Sequence, residues 1–181
     1  MRDYWITTKT GKRFSYTKPS PEDVCMEDIL IALSREGRYA NHTNLSYTVG
    51  QHCWLCSVVA DPEIAVQAFV HDFAEAYTRD LPSDFKALLN DLSLGVWDEI
   101  ETGIEAAVCE ALDVDYPFDP RVKEVDRLVF TTEVRDVLVE PDPPWEIELP
   151  TPLAGKISPW TEQETYTHLK FRWEELSLPT I

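Results

Sequence analysis

The chain has 181 residues, 44% hydrophobic and 27% charged, which suits one compact domain with its own core and excludes a disordered or fibrous chain. Sixteen Lys and Arg stand against 33 Asp and Glu, a net charge of −17, so the surface repels phosphate backbones and nucleic acid is not an expected partner. A small phosphate-bearing ligand would need cations supplied locally, by a metal ion or by a few placed Lys and Arg.

Residues 4–8 and 14–17 are β-prone and flank Lys9-Thr10-Gly11-Lys12, which predicts an N-terminal hairpin within residues 1–18. Everything after it reads as helical. Ser20-Pro21-Glu22-Asp23 is a helix-start signal, and Ile29, Ile31, Ala32 and Leu33 supply the apolar face of a helix ending near Gly37. Residues 38–45 read as a polar loop, and a second helix is expected over residues 46–60. Asp61 then reads as the cap of a third helix, with Val66, Phe69, Val70, Phe73 and Tyr77 at helical spacing. Leu81-Pro82-Ser83 breaks it, and a short helix follows to about Asn90. Trp97, Ile100, Ile104, Val108 and Leu112 mark a longer one over 94–112, and Val122, Val125, Val129 and Thr132 another over 121–138. Pro141, Pro143, Pro144, Pro150 and Pro152 make the following segment an extended strap rather than a second domain. Thr161-x-x-Glu164 is a capping box for a last helix, whose Tyr166, Leu169, Trp173 and Leu176 are expected to close over the core.

No run of eighteen apolar residues occurs, and the first fourteen residues lack the apolar stretch of a secretory signal, so a soluble, cytoplasmic protein with no membrane partner is expected. Cys25, Cys53, Cys56 and Cys109 are then expected as reduced thiols. Cys53-Trp54-Leu55-Cys56 has neither a second pair nor a βαβ context beside it and reads as packed helix thiols. Six glycines without a phosphate-loop pattern argue against Rossmann and P-loop sites.

The chemistry concentrates on few residues. On one helix, His71 and Glu75 are four apart and Asp72 and Glu75 three apart, presenting an imidazole and two carboxylates to one locale. His52 lies on the preceding helix. Asp126 interrupts the apolar stripe of a later one, where a carboxylate is costly unless paired or bound to a metal. Two imidazoles and two carboxylates from three helices suit a divalent transition metal such as zinc, manganese, iron, cobalt or nickel.

These residues carry a resemblance. Tyr47-Thr48-Val49-Gly50-Gln51-His52 resembles a Y-S-V-A-Q-H block, and residues 71–77 resemble H-D-A-A-E-A-Y. Residues 80–86 resemble the end of G-D-I-P-x-P-L-K with the position before Asp80 altered, and residues 122–126 and 131–136 resemble V-K-x-A-D…A-T-E-x-R-D. The blocks run in order within residues 20–138 and are similar to the HD-domain phosphohydrolases, in the small branch of bacterial 5′-deoxynucleotidases and phage dATP triphosphohydrolases. The resemblance implies an all-α HD bundle over 20–138, with the hairpin before it and the strap and closing helix of 139–181 after it.

It further implies that His52, His71, Asp72 and Asp126 hold the metal, and that Glu75 and Asp80 handle the attacking water and the leaving alkoxide. Arg38, Lys86 and Lys123 would bind phosphate, and Tyr39 would crowd a 2′-hydroxyl. The implied activity is hydrolysis of 2′-deoxynucleoside 5′-phosphates, as a triphosphohydrolase (dATP among its candidate substrates) or a monophosphate 5′-nucleotidase, releasing a deoxynucleoside with triphosphate or phosphate. A homo-oligomer in the cytoplasm, the bacterial host's if the chain is phage-encoded, is expected. The alternative is a nucleotide-binding protein that keeps the metal site without hydrolysing. Asn41 stands where the resembled pattern tends to have Gly, and Asp84 where it tends to have Pro, so base preference is not inherited. His42 and His168 are assigned no ligand role.

Overall fold

The computed structural model describes residues 2–181. Strands β1 (Trp5–Thr7) and β2 (Arg13–Ser15) pair antiparallel with Ile6 opposite Phe14, and Gly11 at φ 87° turns the chain between them. Phe14 ties this hairpin to the rest: it is fully buried and stacks on Tyr77 with ring centroids 3.7 Å apart.

The helices are α1 (Met26–Arg35), α2 (Val49–Val59), α3 (Ala65–Val70), α4 (Glu75–Thr78), α5 (Ser83–Ser93), α6 (Val96–Ala111), α7 (Pro120–Asp136) and α8 (Glu162–Glu175). Local chemistry sets several of their ends. Thr48 accepts from the Gln51 N–H to cap α2, and Asp119 accepts from the Arg121 N–H to cap α7, with Pro120 at the first helical position. Thr161 and Glu164 complete the expected capping box of α8.

One core gathers Ile29, Leu30 and Leu33 of α1, Val49 and Cys53 of α2, Phe69 and Val70 of α3, Ile104 and Val108 of α6, and Leu169 and Trp173 of α8. Each such large side chain contributes about 1.5–3 kcal/mol by leaving water. Tyr166 and Leu176 pack on its edge, so α8 closes over the core as its pattern indicated. A smaller cluster of Cys56, Ala68 and Val129 joins α2, α3 and α7. Gly50 lets α2 approach α8 and α1: an added Cβ would lie 2.7 Å from Leu169 Cδ1 and 3.0 Å from the Leu33 carbonyl oxygen.

Two expected features differ. The single helix from Asp61 to Tyr77 is two, α3 and α4, because residues 71–74 form tighter turns in which Phe73 N–H donates to Val70 O and Glu75 N–H to Asp72 O. Asp61 is not a helix cap; its carbonyl closes a turn onto Ile64 N–H, and the helix starts at Ala65. The polar loop after Gly37 contains a left-handed turn, with Tyr39, Ala40 and Asn41 at φ 56°, 50° and 65°. Such backbone costs on the order of 1 kcal/mol for each non-glycine residue.

The strap is extended and clamped. Arg135 donates to Leu153 O and Gly155 O, Asp136 accepts from Ile157 N–H, and Gln51 holds both Ser158 O and Trp160 N–H. No helix of the described residues is long and apolar enough to cross a membrane.

Candidate metal centre and its cleft

His52 is fully buried on α2, and its Nδ1 lies 2.7 Å from Glu133 Oε1. Burial pushes the Glu133 pKa up, but Arg38 and His52 outweigh it and hold the group down at about 2, so Glu133 is a carboxylate and accepts only. His52 therefore donates from Nδ1, which leaves Nε2 to carry a proton or a metal ion. The same logic fixes His71, whose Nδ1 donates to the Ala68 carbonyl at 2.9 Å.

The two Nε2 atoms face each other at 3.2 Å. Asp126 Oδ1 lies 3.3 Å from His52 Nε2, while Asp72 Oδ2 is 3.3 Å from His71 Nε2 and 3.5 Å from His52 Nε2. Four potential ligand atoms thus gather from α2, α7 and the tight turns between α3 and α4. Bonds of about 2.0–2.2 Å to a first-row ion place neighbouring donors about 3.0–3.5 Å apart, the spacing of the two Nε2 atoms and of each carboxylate from the imidazole beside it. The local field agrees: burial and Arg38 oppose positive charge on His52, yet Cys56, Glu133 and Asp126 outweigh them and raise its pKa well above the ordinary value. Asp126 and Asp72 remain ionised despite burial, held low chiefly by His52 and His71 respectively.

Around this centre lies a shell built on Glu133, which sequence reasoning left without a role. Glu133, fully buried, also accepts from the Tyr39 hydroxyl and lies 3.5 Å from Arg38 Nε. Arg38 in turn donates to Asp72 Oδ2 at 3.1 Å. The left-handed turn places Tyr39 for both its bonds, the hydroxyl to Glu133 and the backbone N–H to Asp80 Oδ2 at 2.8 Å. A signal for Glu133 existed, since it stands seven residues after Asp126, two helical turns along the same face.

The carboxylates of Asp72 and Asp126 face a cleft of about 740 Å³. Its charged lining comes from Arg38, Glu75, Asp80 and Lys86 besides the two Asp carboxylates. Its apolar lining comes from Phe130, Leu138, Val139, Trp145 and Ile147, and the Trp145 ring of the strap stacks on Phe130 at 5.9 Å. Glu75 is buried, its Oε2 has no hydrogen-bond partner, and burial followed by Asp72 and Asp80 raises its pKa well above the usual carboxylate range. Lys86 lies 3.7 Å from Glu75 and 2.6 Å from Glu101.

Of the residues singled out from sequence, His52, His71, Asp72, Asp126, Glu75, Asp80, Arg38, Tyr39 and Lys86 thus meet at one centre and its cleft. Lys123 does not join them; it is exposed on α7 outside the cleft lining. His42 and Asp84 line the cleft mouth, and His168 is stacked on Trp160 at 4.0 Å, away from the centre. Cys53 and Cys56 are buried free thiols, as expected, but Cys56 Sγ also comes within 3.5 Å of His52 Nε2.

Fold and centre together define a mostly helical protein whose buried His, Cys and Asp groups could hold a metal ion, beside a cleft lined by charged and apolar side chains. The chain matches no protein-family model. It is 31% identical over 175 residues, 96% of each chain, to the uncharacterized protein YfdR of Escherichia coli K12. The chain belongs to the family of YfdR.

Proposed function

We propose that the protein is a divalent-metal-dependent phosphohydrolase acting on 2′-deoxynucleoside 5′-phosphates, within an HD-type helical bundle. The observation that carries this reading is the gathering of two imidazole nitrogens and two carboxylates beside a cleft lined by both charged and aromatic side chains. His52, His71, Asp72 and Asp126 would hold the ion, which would supply positive charge to a phosphoryl group and acidity to water.

The remaining steps belong to the chain's own groups. The acidic exterior and the carboxylates of the cleft disfavour a phosphate, so Arg38 and Lys86 supply the fixed positive charge of the cleft wall. Glu75, kept protonated by burial, hands its proton to the departing C5′ oxygen as the P–O bond breaks. Water forms the new bond to phosphorus, and one of its protons returns to the carboxylate pair of Glu75 and Asp80. Phe130 and Trp145 give a nucleobase an apolar face to stack on, and Tyr39, fixed by Glu133 and Asp80, borders the sugar.

The test is ion-pair chromatography of products from a panel of ribo- and deoxynucleoside mono- and triphosphates, with Co²⁺ or Mn²⁺ added to the purified protein. Release of a deoxynucleoside, with ribonucleotides poorer, is expected. No product from any substrate while metal is bound would replace this reading with that of a nucleotide-binding protein.

A further inference from the structure

We propose that Cys56 is a thiolate ligand of the metal centre, and that it biases the centre toward soft ions such as Zn²⁺ and Co²⁺ over Mn²⁺ and Mg²⁺. The inference rests on the metal-ion reading of the centre and not on the hydrolase activity.

Cys56 stands one helical turn after His52 on α2, so both side chains leave the helix on one side. Its Sγ is 3.5 Å from His52 Nε2. Metal bonds of about 2.3 Å to sulfur and about 2.0–2.1 Å to imidazole nitrogen, at a tetrahedral angle, span about 3.5 Å between the two donors. The match extends beyond one pair. His52, Cys56, His71 and Asp126 each bring a donor atom within 4.8 Å of every other. Asp72 stands outside that set and forms another with Cys53 and His71, while Arg38 takes a hydrogen bond to its Oδ2. The compact four-donor set therefore contains a thiol beside the two imidazoles and Asp126, with Asp72 still 3.3 Å from His71 Nε2 on its edge.

The surroundings favour ligation over a packing role alone. Cys56 is 1% exposed and packs with Ala68 and Val129, while its sulfur lies against His52 Nε2 and within 4.8 Å of a His71 nitrogen. On binding, the S–H proton is released to solvent and the S–metal bond takes its place. A thiolate in a set otherwise made of nitrogen and oxygen shifts preference toward softer ions.

Co²⁺ titration of the full-length, metal-stripped protein, followed by near-ultraviolet absorption, tests this directly. A thiolate-to-Co²⁺ charge-transfer band is expected at one ion per chain, lost in Cys56→Ser and kept in Cys53→Ala. Preference for Zn²⁺ over Mn²⁺, read by competition, should fall at least tenfold in Cys56→Ser. One Co²⁺ bound to the wild-type protein without the band overturns the proposal and leaves the nitrogen and oxygen centre standing. Failure to bind Co²⁺ at all overturns both. Should Cys56→Ser not fold, a chain carrying Cys25→Ser, Cys53→Ala and Cys109→Ala keeps Cys56 as its one thiol; the band must persist there, and its loss counts against Cys56.

Discussion

Replacing Glu133 by Gln removes one buried charge while keeping the shape of the side chain, and the structure sets the size of the effect. Glu133 is fully buried and faces Arg38, His52 and Tyr39, which hold its pKa at about 2 against an ordinary 4.5. That depression is worth about 3 kcal/mol of folding stability, matching the roughly 3–5 kcal/mol lost when one partner of a buried ion pair is removed. The sign follows from a lowered carboxylate pKa: the stabilisation is complete above 4.5 and drains as pH falls toward 2. Urea unfolding of chelated wild type and Glu133→Gln should therefore differ by about 3 kcal/mol at pH 7, the gap narrowing below pH 4.5. Because Glu133 also fixes the His52 tautomer, metal affinity should fall about 10- to 100-fold. A stability gap under about 1 kcal/mol at pH 7, or one that does not change with pH, would refute the assignment of Glu133 as the charged anchor of the centre.

Glu75→Gln should abolish turnover and yet stabilise the chelated protein at pH 8, because a raised carboxylate pKa costs stability only as pH climbs above 4.5; equal stability at pH 8 and pH 4 relative to wild type would contradict this. Trp145→Ala should raise KM for deoxynucleotides about 5- to 150-fold, the equivalent of about 1–3 kcal/mol of base stacking, while hydrolysis of a simple aryl phosphate stays unchanged; an equal loss on both substrates would remove Trp145 from base binding. Gly50→Ala should cost about 1–3 kcal/mol in denaturant unfolding through overpacking against Leu169 and Leu33, and a neutral result would mean that α2 and α8 can part at no cost. Arg79→Gly should raise the melting temperature, since Arg79 sits at φ 77°, ψ 160°, a region glycine occupies freely, and its bond to Glu36 is largely solvent-exposed; a lower melting temperature would assign that bond more weight than the strain.

The helical core was legible because its apolar residues repeat at helical spacing and its ends carry caps: Ile104, Val108 and Leu112 on α6, and Thr161 with Glu164 on α8. The break at residues 71–74 was not legible, since Val70, Phe73 and Tyr77 keep helical spacing through tight i to i+3 turns as well as through an α-helix. Backbone shape explains two of the departures from the resembled pattern. Asn41, in place of Gly, lies at φ 65°, where Asn is among the least penalised of side chains, whereas Arg79, the altered position before Asp80, lies where only Gly is at ease. The residue types that gather at the centre were legible, but its outer partners were hidden. Glu133 and Cys56 each lie on a helix face already occupied by a named donor, and a one-turn or two-turn offset from that donor was the signal available. Trp145 reaches the cleft from an extended strap, where no periodicity reports which side chains turn inward.

Metal counted in the purified protein by inductively coupled plasma mass spectrometry, beside deoxynucleotide turnover, before and after chelation, shows whether the centre holds an ion and whether turnover needs it. One divalent ion per chain is expected, lost with turnover on chelation and restored with it by Co²⁺ or Mn²⁺. Turnover that persists in metal-free protein, or a centre that takes up no ion, would contradict that expectation.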